Sequence, residues 1–133
     1  MIRLSNFIIP ILLGLFWSNV SHSNIIMQDL IDALVQSQNT KSIEVAKKLK
    51  LIGVNDKSYD LVIRKANLTT DNAKNISETI YKINKNNGPK LQTLSLSFNQ
   101  DLKDEGIITI INHLPKTTSV IDFVECGITD KAG

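Results

Sequence analysis

Apolar residues recur along this chain in three successive rhythms, and each rhythm predicts a different kind of segment. The first is a nearly unbroken run from Phe7 to Trp17, preceded by a single charge at Arg3 and interrupted at Pro10. A membrane-spanning helix needs roughly 20 apolar residues, so the run is too short for one. It suits the core of an export signal, which is about 7–15 residues long. Ser21-His22-Ser23 supplies small residues at the −3 and −1 positions of a cleavage site after Ser23. Residues 1–23 are therefore read as a signal peptide and the chain as secreted or periplasmic, with an uncleaved membrane anchor as the competing reading.

The second rhythm has the period of a helix. Ile26, Leu30, Ala33 and Leu34 fall on one face of residues 25–37, opposite Gln28, Asp29, Asp32 and Gln36. A polar break at 37–40 precedes a second helix that is predicted to run to Ile52. This helix has Glu44 in its first turn, Lys47, Lys48 and Lys50 towards its end, and Gly53 as terminator. The charges match the helix dipole, so the lysines read as a solvated helix end. Residues 24–57 thus form a helical N-terminal unit with a short linker at 54–57.

From Ser58 onward the period shortens to two and a phrase repeats. Leu61-Val62-Ile63-Arg64-Lys65-Ala66, Leu94-Ser95-Leu96-Ser97-Phe98-Asn99 and Ile121-Asp122-Phe123-Val124-Glu125-Cys126 share the frame apolar-x-apolar-x-x-(Asn, Cys or Ala). Each is followed by one more aliphatic (Leu68, Leu102, Ile128) and then by Asp-x-small: Asp71-Asn72-Ala73, Asp104-Glu105-Gly106, Asp130-Lys131-Ala132. The second unit follows the first by 33 residues and the third follows the second by 27. Leu91-Gln92-Thr93-Leu94-Ser95-Leu96-Ser97-Phe98-Asn99 carries L-x-x-L-x-L-x-x-N at every defined position. On these residues 58–133 resemble leucine-rich repeats of the ribonuclease-inhibitor type, about two and a half of them. The departures are Ser58 and Thr118 at the opening Leu position, Ala66 at the Asn position, and one extra residue between Asn99 and Leu102.

The resemblance implies an α/β fold: a short solenoid of strand–loop–helix units with a parallel sheet, behind the helical cap. It implies that Asn99 satisfies backbone groups where the chain turns away from the strand, with Cys126 as the thiol version. Asp71, Asp104 and Asp130 stand where they would cap the following helices, and Gly106 where helix packs closely on strand. Ile110 and Leu114 then fall at core-facing spacing. Strand positions pointing away from the core line the concave face, which is the usual docking surface of the family. Here they are Asp60, Val62, Arg64 and Lys65; Thr93, Ser95, Ser97 and Phe98; and Val120, Asp122, Val124 and Glu125. Stacked in order they run from a basic edge to an acidic one, with Phe98 as the candidate anchor. A protein partner of opposite polarity fits such a face. Repeat units need neighbours to bury their apolar sides. Residues 58–133 therefore also admit self-association through the last strand, or a truncated, degenerate relative of a longer array with no autonomous function.

Composition narrows the chemistry. Apolar residues make up 42% of the chain but aromatics only 5%, so the core must be aliphatic. A net charge of +2, with only two of the 15 basic residues being Arg, argues against nucleic-acid binding. No membrane contact is expected once the signal is cleaved. Cys126 is the sole thiol, so no internal disulfide can form despite export. One His in the mature chain, His113, and one Cys cannot supply a zinc site. Asp101, Asp104 and Glu105 lack the alternation of a calcium loop. No phosphate loop or nucleophile elbow occurs, so no catalytic residue, metal or cofactor is expected. Asn67-Leu68-Thr69 and Asn75-Ile76-Ser77 match the glycosylation triplet, which bears only on a eukaryotic host. Residues 84–87, rich in Asn, read as a polar loop.

Overall fold

A computed structural model describes residues 22–53 and 55–131. The export signal falls outside the described residues as far as residue 21, as does the helix expected to follow Asp130. Among the described residues no helix is long and apolar enough to cross a membrane. The elements are α1 (His22–Gln36), α2 (Thr40–Leu49), β1 (Ser58–Val62), α3 (Thr70–Lys85), β2 (Lys90–Ser95), a 3₁₀ turn (Gln100–Leu102), α4 (Lys103–His113) and β3 (Val120–Asp122). The class is α/β.

The strands form one parallel sheet in the order β1-β2-β3. Parallel neighbours require a crossover; α3 carries the chain from β1 to β2 and α4 from β2 to β3. The two helices pack side by side, α1 packs on α2 and α3, and α2 touches β1. The helical N-terminal unit therefore sits at the β1 side of the sheet.

Period-two alternation turns Leu61 and Ile63, and likewise Leu94 and Leu96, into the core, and Leu91 joins them through a shift in the strand ladder. The helices meet them with Met27, Leu30, Ile31 and Leu34 of α1, Ile76, Ile80 and Ile83 of α3, and Ile107 and Ile110 of α4. Among the described residues the core is aliphatic, with Tyr59 the one aromatic fully inside it. Burial pushes the Tyr59 phenol far above its ordinary value. Leu114, expected inside, is only partly buried.

Tyr59 also corrects the reading of the first unit. A register shift between Tyr59 and Asp60 sets Tyr59 opposite Leu91 and Asp60 opposite Thr93. Tyr59, rather than Ser58, thus occupies the place of the opening Leu; Ser58 is exposed. Just before β3, Thr118 stands near the same place and spends its hydroxyl on Leu91 O, at 2.9 Å.

The helix starts depart from expectation in a consistent way. α3 is capped by Thr69, whose hydroxyl accepts from Asn72 N while the Asn72 carboxamide oxygen accepts from Thr69 N. That reciprocal box satisfies two otherwise orphaned amides, and Asp71 is left exposed in the first turn. α4 has no side-chain cap at all. Its Asp104 reaches instead to the next unit and accepts from the Thr129 amide at 2.7 Å and from the Thr129 hydroxyl. α2 is capped by Asn39, which accepts from Lys41 N at 2.9 Å. α2 starts at Thr40, so Glu44 lies beyond its first turn, which holds no acidic residue, and it ends at Leu49, short of the expected Ile52. Gly106 packs helix on helix, not helix on strand: a Cβ there would stand 3.3 Å from the Ala73 Cβ of α3. Lys74 and Glu105 pair at 3.0 Å across the same two helices. Both groups are exposed, so solvent screens the pair and it adds little to stability.

Candidate binding surface

The buried turn that follows each strand is what positions the exposed face. In the middle unit it is organised by Asn99, which is fully buried. Its oxygen accepts from Ala66 N at 2.9 Å and Leu68 N at 3.1 Å; its nitrogen donates to Ile63 O at 2.8 Å and Leu96 O at 2.7 Å. One carboxamide thus serves its own turn, as expected of it, and the turn of the preceding unit as well. Cys126 takes the corresponding place in the third unit, and its thiol donates to Leu96 O at 3.1 Å. Burial, the largest cause, raises the Cys126 thiol above its ordinary range, which keeps it protonated and able to donate.

The residue before each of these positions has a left-handed backbone: Lys65 at φ 54°, Phe98 at 64° and Glu125 at 52°. Such a conformation is uncommon for residues other than glycine. Its recurrence in all three units means that they turn in the same way. The residue after Cys126 is Gly127, also left-handed at φ 70°. A Cβ there would lie 2.3 Å from Gln100 O, so the close approach of the two turns requires glycine.

Strand register arranges the outward positions in rows. Asp60, Thr93 and Val120 form one row, and Val62, Ser95 and Asp122 the next. Beyond the strands the bonds from Lys65 N to Ser97 O and from Phe98 N to Val124 O carry the rows on. Arg64, Ser97 and Val124 then share a row, followed by Lys65, Phe98 and Glu125.

Two of the residues expected to be presented on this face are not. Ser97 is fully buried and Ser95 nearly so. Both hydroxyls are taken by the third unit: Ser95 donates to the Asp122 carboxylate at 3.0 Å, and Ser97 Oγ accepts from Val124 N at 3.0 Å. A hydrogen bond from Ser97, then one from Ser95, then the Val124 amide and the Arg64 charge hold the Asp122 carboxyl below its usual range. The serines therefore fasten the sheet together.

The exposed residues fall into two groups. Asp60 and Val62 of β1 and Val120 of β3 lie away from the turns. At the end of the strands the Arg64 guanidinium lies 5.2 Å from the centroid of the Phe98 ring. Phe98 remains 39% exposed, so it stands out of the core instead of folding over its edge. Lys65, Phe98 and Glu125 line an open cleft of about 520 Å³ together with Asn67, Gln100 and Asp101. These last three lie outside the strand alternation that selects the face. Asn67 and Gln100 follow Ala66 and Asn99 directly, so the repeat frame itself points to them. The cleft is basic on the β1 side and acidic on the β3 side, the polarity expected from the strand residues.

His113 and Cys126 occupy separate surroundings. His113 Nδ1 is 2.7 Å from Thr109 O and its ring meets Tyr81 of α3 edge-on at 5.8 Å. Among the described residues no group of three or more His, Cys, Asp or Glu side chains is arranged to hold a metal ion. Compared with known proteins, the chain matches no family model, no curated protein and no solved structure.

Proposed function

We propose that this protein is an exported leucine-rich-repeat module of the ribonuclease-inhibitor type, without catalytic activity, that binds a protein partner through the outer face of its sheet. The repeat reading is supported by the three equivalent left-handed turns, by Asn99 and Cys126 at matching positions where each hydrogen-bonds the turn, and by β1 and β2, which each return through a helix.

The observation that carries the binding reading is the exposed Phe98 ring held under Arg64 beside a cleft of divided charge. Aromatic and Arg side chains are the commonest energetic anchors of protein interfaces. A cation resting on a ring also limits the freedom of both groups before a partner arrives, which lowers the entropy lost on binding. Lys65 and Glu125 at opposite ends of the cleft would orient a partner of reversed polarity and speed its approach. Capture of partners from the native extracellular or periplasmic fluid, compared between the chain and an Arg64→Glu, Phe98→Ala double variant, tests this. Selective loss from the variant supports the face, and identical capture profiles refute it.

A further inference from the structure

We propose that Asn87–Gly88 is a self-modification site that the fold keeps latent: the C-terminal cap of α3 blocks it, and once the cap opens the pair converts to an isoaspartyl linkage that loosens α1 from α3. Of the glycines in this chain, Gly88 alone follows an Asn or Asp. Such a pair is the most prone to cyclise, because the second residue has no side chain to keep its nitrogen from the Asn carboxamide. The inference rests neither on the repeat resemblance nor on the outer face.

The fold itself demands both residues. α3 ends in two hydrogen bonds, from Asn87 N to Asn84 O at 3.2 Å and from Gly88 N to Ile83 O at 2.9 Å. Together they form a Schellman cap, which needs a left-handed residue just past the helix. Asn87 supplies it at φ 57°, a conformation that Asn adopts more readily than most residues with a side chain. Gly88 is buried where α3 meets α1. A Cβ there would stand 2.7 Å from Ile26 Cγ2 of α1, 2.9 Å from Ile83 Cγ2 and 3.1 Å from Ile83 O. The adjacency of Asn and Gly is therefore a consequence of how α3 stops against α1.

The chemistry needs only water. Gly88 N attacks Asn87 Cγ and loses its proton; the new C–N bond closes a succinimide ring, and the Cγ–Nδ2 bond breaks to release ammonia. Water then opens the ring at one of its two carbonyls, leaving either Asp or an isoaspartyl linkage at position 87. In the capped state Ile83 O holds the proton that Gly88 N must lose, and the left-handed turn fixes the Asn87 backbone. The Asn87 side chain is exposed, so the barrier is the cap and not burial. Opening a helix end costs far less than unfolding the whole domain.

Both products damage the cap. Asp places a negative charge at a helix end whose dipole favours the cations Lys82 and Lys85. The isoaspartyl form also adds a methylene to the main chain between residues 87 and 88. Gly88 N is then carried away from Ile83 O, and Gly88 from its seat against Ile26.

The test ages the full chain at neutral pH and physiological temperature, folded or in denaturing guanidinium chloride, and maps the products by peptide mass spectrometry with isoaspartate detection. Position 87 should be the first Asn converted in the denatured chain. In the folded chain it should convert at least about tenfold more slowly, the factor given by an opening cost of about 1.4 kcal/mol. Asn87→Gly keeps a residue suited to the left-handed cap and removes the carboxamide, so it should age without change in its urea midpoint. The isoaspartyl fraction of the wild-type chain, separated by ion exchange, should unfold at lower urea than the unaged chain. Equal rates in the folded and denatured chain, earlier conversion of another Asn on denaturation, or an isoaspartyl fraction as stable as the unaged chain would overturn the proposal.

Discussion

Replacing Asn99 with Ala should be among the most damaging single changes this chain can suffer. The side chain satisfies four backbone groups, the amides of Ala66 and Leu68 and the carbonyls of Ile63 and Leu96. It lies where no bulk water reaches. A buried polar group that loses its partner costs about 1–3 kcal/mol. Leu96 O keeps the Cys126 thiol as a donor, so three groups are left bare, which would use up most of the stability of many small domains if nothing relaxed. A water molecule entering the vacated space recovers part of this, so the net loss should be about 3–5 kcal/mol, against a total of about 5–15 kcal/mol for a typical domain. Asn99→Cys provides the internal comparison, because Cys126 already fills the equivalent place. A thiol can donate to one carbonyl but leaves the Ala66 and Leu68 amides without their acceptor, so its cost should be intermediate. Urea unfolding followed by circular dichroism gives both values, with matching slopes as the check that the unfolded states are comparable. An Asn99→Ala variant within about 1 kcal/mol of wild type would show that the carboxamide does not hold the turns together.

Three further outcomes follow from particular contacts. Gly127→Ala forces a side chain into a left-handed backbone and towards Gln100 O; it should cost about 1–3 kcal/mol in the same unfolding assay, and a neutral result would mean that the two turns are not in close approach. Ser42 in α2 carries, among the described residues, the buried side-chain oxygen without a hydrogen-bond partner. Ser42→Ala should therefore stabilise the protein by about 1 kcal/mol, and a loss of stability would contradict this. The Asp122 carboxyl titrates below its usual range because of Ser97 first and Ser95 second. With the folded value depressed, its contribution to stability is complete above the ordinary carboxylate value of about 3.9 and is lost as pH falls through the folded value. Carboxyl-detected NMR should show the Asp122 midpoint rising in Ser97→Ala and, by less, in Ser95→Ala; unmoved midpoints would refute the assignment of cause.

Much of the scaffold is legible from spacing alone because its physics is local. Leu94 and Leu96 alternate into the core at period two, and Asn99 follows at the point where a turn needs both donors and an acceptor. What the spacing hides depends on contacts between units. The bulge that moves Tyr59 into register is a property of two strands together, so Ser58 looked like the equivalent residue. Asp104 has the sequence context of a helix cap, but Thr129, 25 residues away, offers it an amide and a hydroxyl. At α3 the cap passes to Thr69, because Asn72 can return its hydrogen bond and Asp71 cannot. The outer face was legible in direction but not in exposure. Alternation correctly turns Ser95 and Ser97 away from the core, yet small side chains beside Asp122 and Val124 are covered by them and drawn into their hydrogen bonds. Phe98, Lys65 and Glu125 stay accessible because the left-handed turns lift them clear of the strands.

The central claim is that the Arg64–Phe98 pair anchors a partner on this face. Once a partner has been captured, calorimetric titration of it against wild type, Phe98→Ala and, as a control on the helix side, Tyr81→Ala tests that claim most directly. Loss of an anchor of this kind costs about 2 kcal/mol, or roughly 30-fold in affinity. Phe98→Ala should weaken binding by about that factor while Tyr81→Ala leaves it unchanged. Equal affinities for wild type and Phe98→Ala, or a larger loss from Tyr81→Ala, would place the binding surface elsewhere on the molecule.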